Sequence, residues 1–346
     1  MLFNCAELMN MESTTSNLVK ASILGILSLV AIVGNIIVCH ILIKRRKVLL
    51  KNRATYQFIL NLIFSDLIIG IFLCPFEITR TILGSWVLGT FLCKIIEFVE
   101  VSTSGTAVIT HALIAIDRYR SLAHPHLPKL KAKRVRQMIA LSWVVPAIVC
   151  TPLLYMTEVA TVNSERICTP LAIPIPWLDK LYAGAEFVVM FFSPFCVICW
   201  CYYHVISLTF GGKRGGRIPT AEISLRRSQK RVTKTACLIV GAFIICWSPT
   251  FVLRIWRIAS GTESVHHGHL MYEIAMFGGL INEAANPLIY TAYDRNMNVC
   301  QYIQCGHRVS NDGINETESS SRSIERHPSR SCRNTTRQLR FAESQS

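Results

Sequence analysis

The residues able to do chemistry in this 346-residue chain sit inside long apolar runs, where ionised and amide side chains are costly unless paired or lining a cavity. Asp117 and Arg118 are adjacent and opposite in charge. Asp66 falls five residues after Asn61, and Glu283 lies on the spacing Met276, Leu280, Glu283, Asn286, Tyr290, which is one helical face. Two carboxylates brought together in an apolar core repel, so they share a proton or hold a cation; Glu283 turned to another polar partner is the alternative. Glu97 and Glu100, three apart, share a face as well. With Glu77, Glu186 and Glu273 they make an acid-rich region, facing Arg80, Arg254 and Arg257. Such acids would receive a cationic ligand, or pair internally with those arginines. Trp247, Phe251, Tyr272 and Met276 could line the same region. No His-Glu-x-x-His motif or nucleophile cluster lies in the apolar runs, so no enzymatic activity is expected. His266-His267-Gly268-His269 is a conceivable zinc or pH-sensing site, although exposed loop histidines commonly do nothing specific. His111 reads as a packed, hydrogen-bonded residue.

The elements that must position these groups are apolar helices. The chain is 51% hydrophobic and only 16% charged, against about 25% charged in soluble domains. Seven stretches, near 19–43, 55–79, 91–116, 137–157, 181–209, 235–259 and 270–293, are long enough to cross a bilayer, which takes roughly 20 residues. A soluble enzyme, a disordered chain and a β-barrel are excluded. The expected fold is an all-α membrane protein, a seven-helix bundle over 19–293, with an extracellular N-terminus over 1–18 and a short amphipathic helix over 294–305. A disordered cytoplasmic tail follows over 306–346. The connections after spans one, three and five, with the tail, hold 29 of the 36 Lys and Arg and 8 of the 21 acids. That bias puts them in the cytoplasm and the N-terminus outside. The net charge of +15 is then an orientation signal and a surface for anionic lipid, not a nucleic-acid footprint. There is no internal repeat of the kind transporters carry.

The polar residues come in a fixed order: Gly34-Asn35, Asn61 and Asp66, Asp117-Arg118-Tyr119, Trp143 and Pro152, Pro194 and Tyr202, Phe243 and Cys246-Trp247-Ser248-Pro249, Asn282, Asn286-Pro287 and Tyr290. Together, over about residues 20–305, they resemble the rhodopsin-like G-protein-coupled receptors. The resemblance implies a mechanism. Asp117 holds Arg118 at rest; on activation Arg118 swings toward Tyr202 and Tyr290 and opens a cytoplasmic crevice for a heterotrimeric G protein. Prolines 194, 249 and 287 permit the kinks, and Trp247 acts as a lever under the ligand. It also implies a bridge between Cys93 and Cys168, the cysteines that sit with Cys5 on the outer side.

Three positions depart from the family pattern. Gln229 stands where an acid often locks the arginine from span six, and a neutral amide holds a guanidinium poorly. Ala107 stands where a serine usually helps Asp66 coordinate sodium, and Glu283 supplies a second carboxylate instead. A sodium ion at Asp66 and Glu283 is the only cofactor expected, as an allosteric modulator.

Light sensing is excluded, because no lysine follows Lys234 to carry a retinal Schiff base. The stretch Asp66–Pro75, the Gly84-Ser85-Trp86 turn and Arg231-Val232-Thr233-Lys234 are similar to peptide receptors of the neuropeptide FF type. An extracellular neuropeptide is therefore the leading ligand; an amine-like cation, or constitutive signalling without ligand, are the alternatives. Cys300 and Cys305, past span seven, are candidates for lipidation. Ser319–Ser323, Ser329, Ser331, Thr335 and Thr336 are phosphorylation candidates that would bring a receptor kinase and arrestin to the tail. The localisation expected is the plasma membrane.

Overall fold

The computed structural model describes residues 5–46, 49–50, 54–124, 126–162, 165–170, 175–210, 220–260, 269–293 and Met297. The helical region 294–305 and the tail 306–346 expected from the sequence lie outside the described residues, Met297 excepted.

Seven helical spans form one bundle. Span one is α1 (Cys5–Lys44). Span two is α2 (Ala54–Ile68), a π-turn over Ile69–Leu73 and α3 (Cys74–Leu83). Span three is α4 (Gly89–Ala123), and span four is α5 (Ala132–Cys150) with the short α6 (Leu153–Met156). A hairpin of β1 (Thr157–Val162) and antiparallel β2 (Glu165–Pro170) follows. Span five is α7 (Pro176–Phe187), a second π-turn over Val188–Phe192 and α8 (Ser193–Phe210). Spans six and seven are α9 (Thr220–Ser260) and α10 (His269–Tyr293). The fold is an all-α membrane protein. Among the described residues, five helices are long and apolar enough to cross a bilayer, and α9 contains the apolar segment Cys237–Leu253. Two boundaries move from the expectation: the first helix starts at Cys5 rather than near 19, and span six starts at Thr220 rather than near 235. Both extensions, about four turns each, are polar enough that hydropathy cannot see them, yet lengthening a helix that is already nucleated costs little per residue.

The distribution of polarity is inverted relative to a soluble protein. Asn35, Asn61, Asp66, Thr106, Thr110, His111, Asn282 and Asn286 are buried, while Ile26, Phe64, Phe72, Ile148, Ile245 and Leu288 are exposed. Apolar side chains face outward because hydrocarbon is their solvent, and each helix satisfies its own backbone. Close helix contacts need small residues. A Cβ on Gly34 would lie 2.6 Å from the Pro287 ring, so glycine lets spans one and seven touch. A Cβ on Gly278 would collide with the Cys246 carbonyl, so the seam between spans six and seven also depends on glycine.

The two π-turns have one cause. Proline lacks an N–H, and its ring collides with the carbonyl four residues back. For Pro75 and Pro194 those carbonyls belong to Ile71 and Met190, and both lie inside the wide turns. Pro249 and Pro287 sit within continuous helix instead.

Candidate functional site

At one end of the bundle, Arg118 Nη2 lies 2.6 Å from Asp117 Oδ2. Thr55, from α2, joins the pair: its hydroxyl donates to Asp117 Oδ2 and accepts from Arg118 Nη2. Asp117 and Thr55 are both buried, so the three groups form a nearly water-free lock between spans two and three. Tyr202 lies within electrostatic reach of Arg118, and Tyr290 within reach of Tyr202. Both tyrosines are buried, and neither hydroxyl has a hydrogen-bond partner among the described residues. Tyr119 turns away from the lock and packs its ring against Trp200 at 4.8 Å and His204 at 5.8 Å. The Gln229 side chain lies outside the described residues.

Above the lock, Asn61 ties three helices together. Its amide donates to Thr110 Oγ1 at 2.8 Å and Ser142 Oγ at 3.2 Å, and its carbonyl accepts from Trp143 Nε1 at 2.8 Å. His111 is buried, with Nδ1 2.8 Å from the Ala107 carbonyl and its ring stacked on Phe243 at 4.6 Å.

The middle of the bundle holds the paired carboxylates. Asn286 donates to Asp66 Oδ2 at 3.2 Å. Asn35 donates to the Ala31 carbonyl at 3.0 Å and to the Glu283 carbonyl at 3.5 Å. Asp66 and Glu283 are both buried and within electrostatic reach of each other. Asp66 Oδ1, Glu283 Oε2, Asn35 Oδ1, Asn282 Oδ1 and Asn286 Oδ1 are buried without a hydrogen-bond partner among the described residues. Oxygen atoms alone, two of them from carboxylates, are a donor set for a hard cation. The residues therefore fit a sodium ion. No third His, Cys, Asp or Glu joins them among the described residues, which does not favour a transition metal.

At the opposite end, the Cys93–Cys168 disulfide fixes the hairpin to the N-terminal part of α4. The Gly84-Ser85-Trp86 turn is a second tether. Gly84 and Gly89 adopt φ of 64° and 79°, which glycine takes without strain. Trp86 is buried between them; its indole N–H donates to the Gly89 carbonyl at 2.9 Å, and its backbone N–H to Arg166 of β2 at 2.6 Å. Ion pairs form at this end. Glu77 lies 2.6 Å from Arg80, which also approaches the Met276 sulfur at 3.9 Å, and Glu273 lies 2.7 Å from Lys20. Glu186 is buried; Glu97 and Glu100 are half-buried on span three. Trp247 and Phe251 lie in an aromatic layer, Trp247 at 5.8 Å and Phe251 at 6.0 Å from Phe191. The side chains of Arg254 and Tyr272, and residues Cys300 and Cys305, lie outside the described residues.

Sequence reasoning passed over Thr55, Thr110 and Ser142. Hydroxyls are common in apolar helices and bond their own backbone, so only the fold distinguishes these three.

The profile of the family described as "7 transmembrane receptor (rhodopsin family)" matches residues 34–290. The tachykinin-like peptides receptor 86C of Drosophila melanogaster is 28% identical over 82% of this chain, which spans 57% of that receptor's length. The histamine H2 receptor of Homo sapiens is 25% identical over 83% of this chain and 79% of its own length. The somatostatin receptor type 1 of Rattus norvegicus is 25% identical over 81% of this chain and 69% of its own.

Proposed function

Since the chain belongs to the rhodopsin family of seven-transmembrane receptors, we propose that it is a plasma-membrane receptor with its N-terminus outside. It binds an extracellular ligand at the Cys93 end and activates a heterotrimeric G protein at the Arg118 end. The observation that carries this reading is the lock of Arg118, Asp117 and Thr55, beside two buried tyrosine hydroxyls with no described partner. Such hydroxyls are destinations for a guanidinium released from its acid, because each gains an interaction it lacks at rest.

The leading ligand is a neuropeptide. The sequence patterns at Asp66–Pro75 and Gly84-Ser85-Trp86 support it, as do relatives named for tachykinin-like peptides and somatostatin. A small amine is the second reading, favoured by the acid-rich outer halves of the spans and by the relative named for histamine. In cells expressing the chain, one of two panels, neuropeptides or amines, should raise a second messenger, and Arg118→Ala should remove the response while leaving ligand binding. A chain silent to both panels, with second-messenger levels equal to those of untransfected cells, would count against a receptor role.

Sodium held by Asp66 and Glu283, with the Asn35, Asn282 and Asn286 oxygens, would supply the positive charge that lets two carboxylates stay ionised in the core. That charge favours the resting bundle. Sodium chloride, compared with the choline salt, should raise the unfolding temperature of the purified chain. In Glu283→Gln the difference should vanish; an equal sodium effect in that variant would remove Glu283 from the site. Cys300 and Cys305 as lipid anchors, and the tail serines and threonines as targets of a receptor kinase and arrestin, complete the reading.

A further inference from the structure

Resting on the receptor reading, we infer that His111 is a positioning residue of the switch: in the signalling state its Nε2 accepts a hydrogen bond from the Tyr290 hydroxyl and closes a chain of hydrogen bonds that begins at Arg118. The unsatisfied Nε2 carries the inference. His111 is fully buried, and its Nδ1 lies 2.8 Å from the Ala107 carbonyl, which can only accept. Nδ1 therefore carries the proton, and Nε2 of the neutral ring is an acceptor. No donor reaches that nitrogen among the described residues. The stack on Phe243 at 4.6 Å uses the ring face and leaves Nε2 as it is. Leucine would fill such a place with no polar atom to satisfy, whereas a buried acceptor left alone is costly.

The switch needs a terminal acceptor. A guanidinium has donors only, so a tyrosine hydroxyl that accepts from it must place its own proton elsewhere. Arg118 lies within electrostatic reach of Tyr202, and Tyr202 of Tyr290. Tyr202 can donate to Tyr290, and Tyr290 then needs an acceptor of its own. Among the described residues, the unpartnered oxygens of Asp66, Glu283, Asn35, Asn282 and Asn286 belong to the proposed sodium site, which leaves the His111 imidazole. His111 precedes Arg118 by seven residues, two helical turns, so the two share a face of α4 about 10 Å apart along its axis. Three hydrogen bonds of about 2.9 Å, running Arg118–Tyr202–Tyr290–His111, cover close to that length. Ala107 and Ile114, about one turn to either side of His111, pack in one cluster with Tyr290 and with Ile239 of span six. Pro287, three residues before Tyr290, gives the end of span seven a hinge on which to turn.

The full chain with isotope-labelled histidine, in lipid nanodiscs, would be read by nitrogen NMR alone and in complex with nucleotide-free heterotrimeric G protein. The His111 resonances are those missing from His111→Leu. The Nε2 resonance should stand at the free-acceptor position in the chain alone and move to the hydrogen-bonded position in the complex, and Tyr290→Phe should abolish the move. In nucleotide exchange without ligand, His111→Leu should lower the Arg118-dependent rate about three- to tenfold, the worth of one neutral hydrogen bond. Tyr290→Phe should then cost less in the His111→Leu background than in the parent chain, because the shared bond is already gone. His111→Leu removes an unsatisfied acceptor, so the unfolding temperature of the chain alone should not fall; a role in packing only would lower it. An Nε2 resonance unmoved by G protein, a move that survives Tyr290→Phe, or additive losses for the two substitutions would overturn the inference. A chain with Arg118-dependent exchange that gives any of these results refutes the role of His111 and leaves the receptor reading standing. A chain with no such exchange fails the receptor reading, and the inference falls with it.

Discussion

Thr55 bridges the two members of an ion pair that would otherwise face each other alone. A hydrogen bond to a charged group contributes about 1.5–3 kcal/mol, and a shift of about 1.4 kcal/mol is tenfold in an equilibrium. Thr55→Val keeps the shape and removes the hydroxyl, so ligand-free second-messenger output should rise several-fold; unchanged output would show that Asp117 alone sets the resting state. Asn61 gives a stability prediction. Trp143→Phe deletes the donor to its carbonyl and leaves a buried oxygen unpaired, at a cost of about 1–3 kcal/mol. The purified variant should unfold at a lower temperature, more so than an exposed change such as Tyr155→Phe. Asp117 and Arg118 are legible in the sequence because they are adjacent and charged within an apolar run. Thr55 is not, because 62 residues separate it from Asp117 and a threonine there looks like any other helical hydroxyl.

At the scale of elements, the spans are set by hydropathy and their contacts by small residues and prolines. Gly278 faces the Cys246 carbonyl, a backbone atom that cannot rotate away. Gly278→Ala should force spans six and seven apart, destabilise the bundle by about 1–3 kcal/mol, and lower surface expression. Gly279→Ala, where a Cβ would meet nothing within 4 Å, is the control. Equal expression of the two variants would mean the seam is looser than described. Seven helices were readable because membrane spans announce themselves as long apolar runs. Their ends were not, since the polar turns of α1 and α9 carry no hydropathy signal. The π-turns were half readable. Pro75 and Pro194 mark where a helix loses a hydrogen bond, but whether it kinks or widens depends on its neighbours, and Pro249 and Pro287 show the other outcome.

At the scale of the molecule, the bundle separates two chemistries. The Cys93 end has a disulfide-tethered hairpin over acids and aromatic rings; the Arg118 end has an ion lock. Between them stand two buried carboxylates and the His111–Phe243 stack, so any change passing from one end to the other must repack this middle layer. The central claim is that Arg118 operates a G-protein switch, and nucleotide exchange on a purified G protein tests it most directly. The full chain in lipid vesicles, mixed with heterotrimeric G protein and no ligand, should accelerate exchange above the intrinsic rate. Thr55→Val should accelerate it further, and Arg118→Ala should return it to the rate of empty vesicles. Exchange indistinguishable from empty vesicles for all three, with the chain folded and a panel of G-protein subtypes tried, would contradict the account.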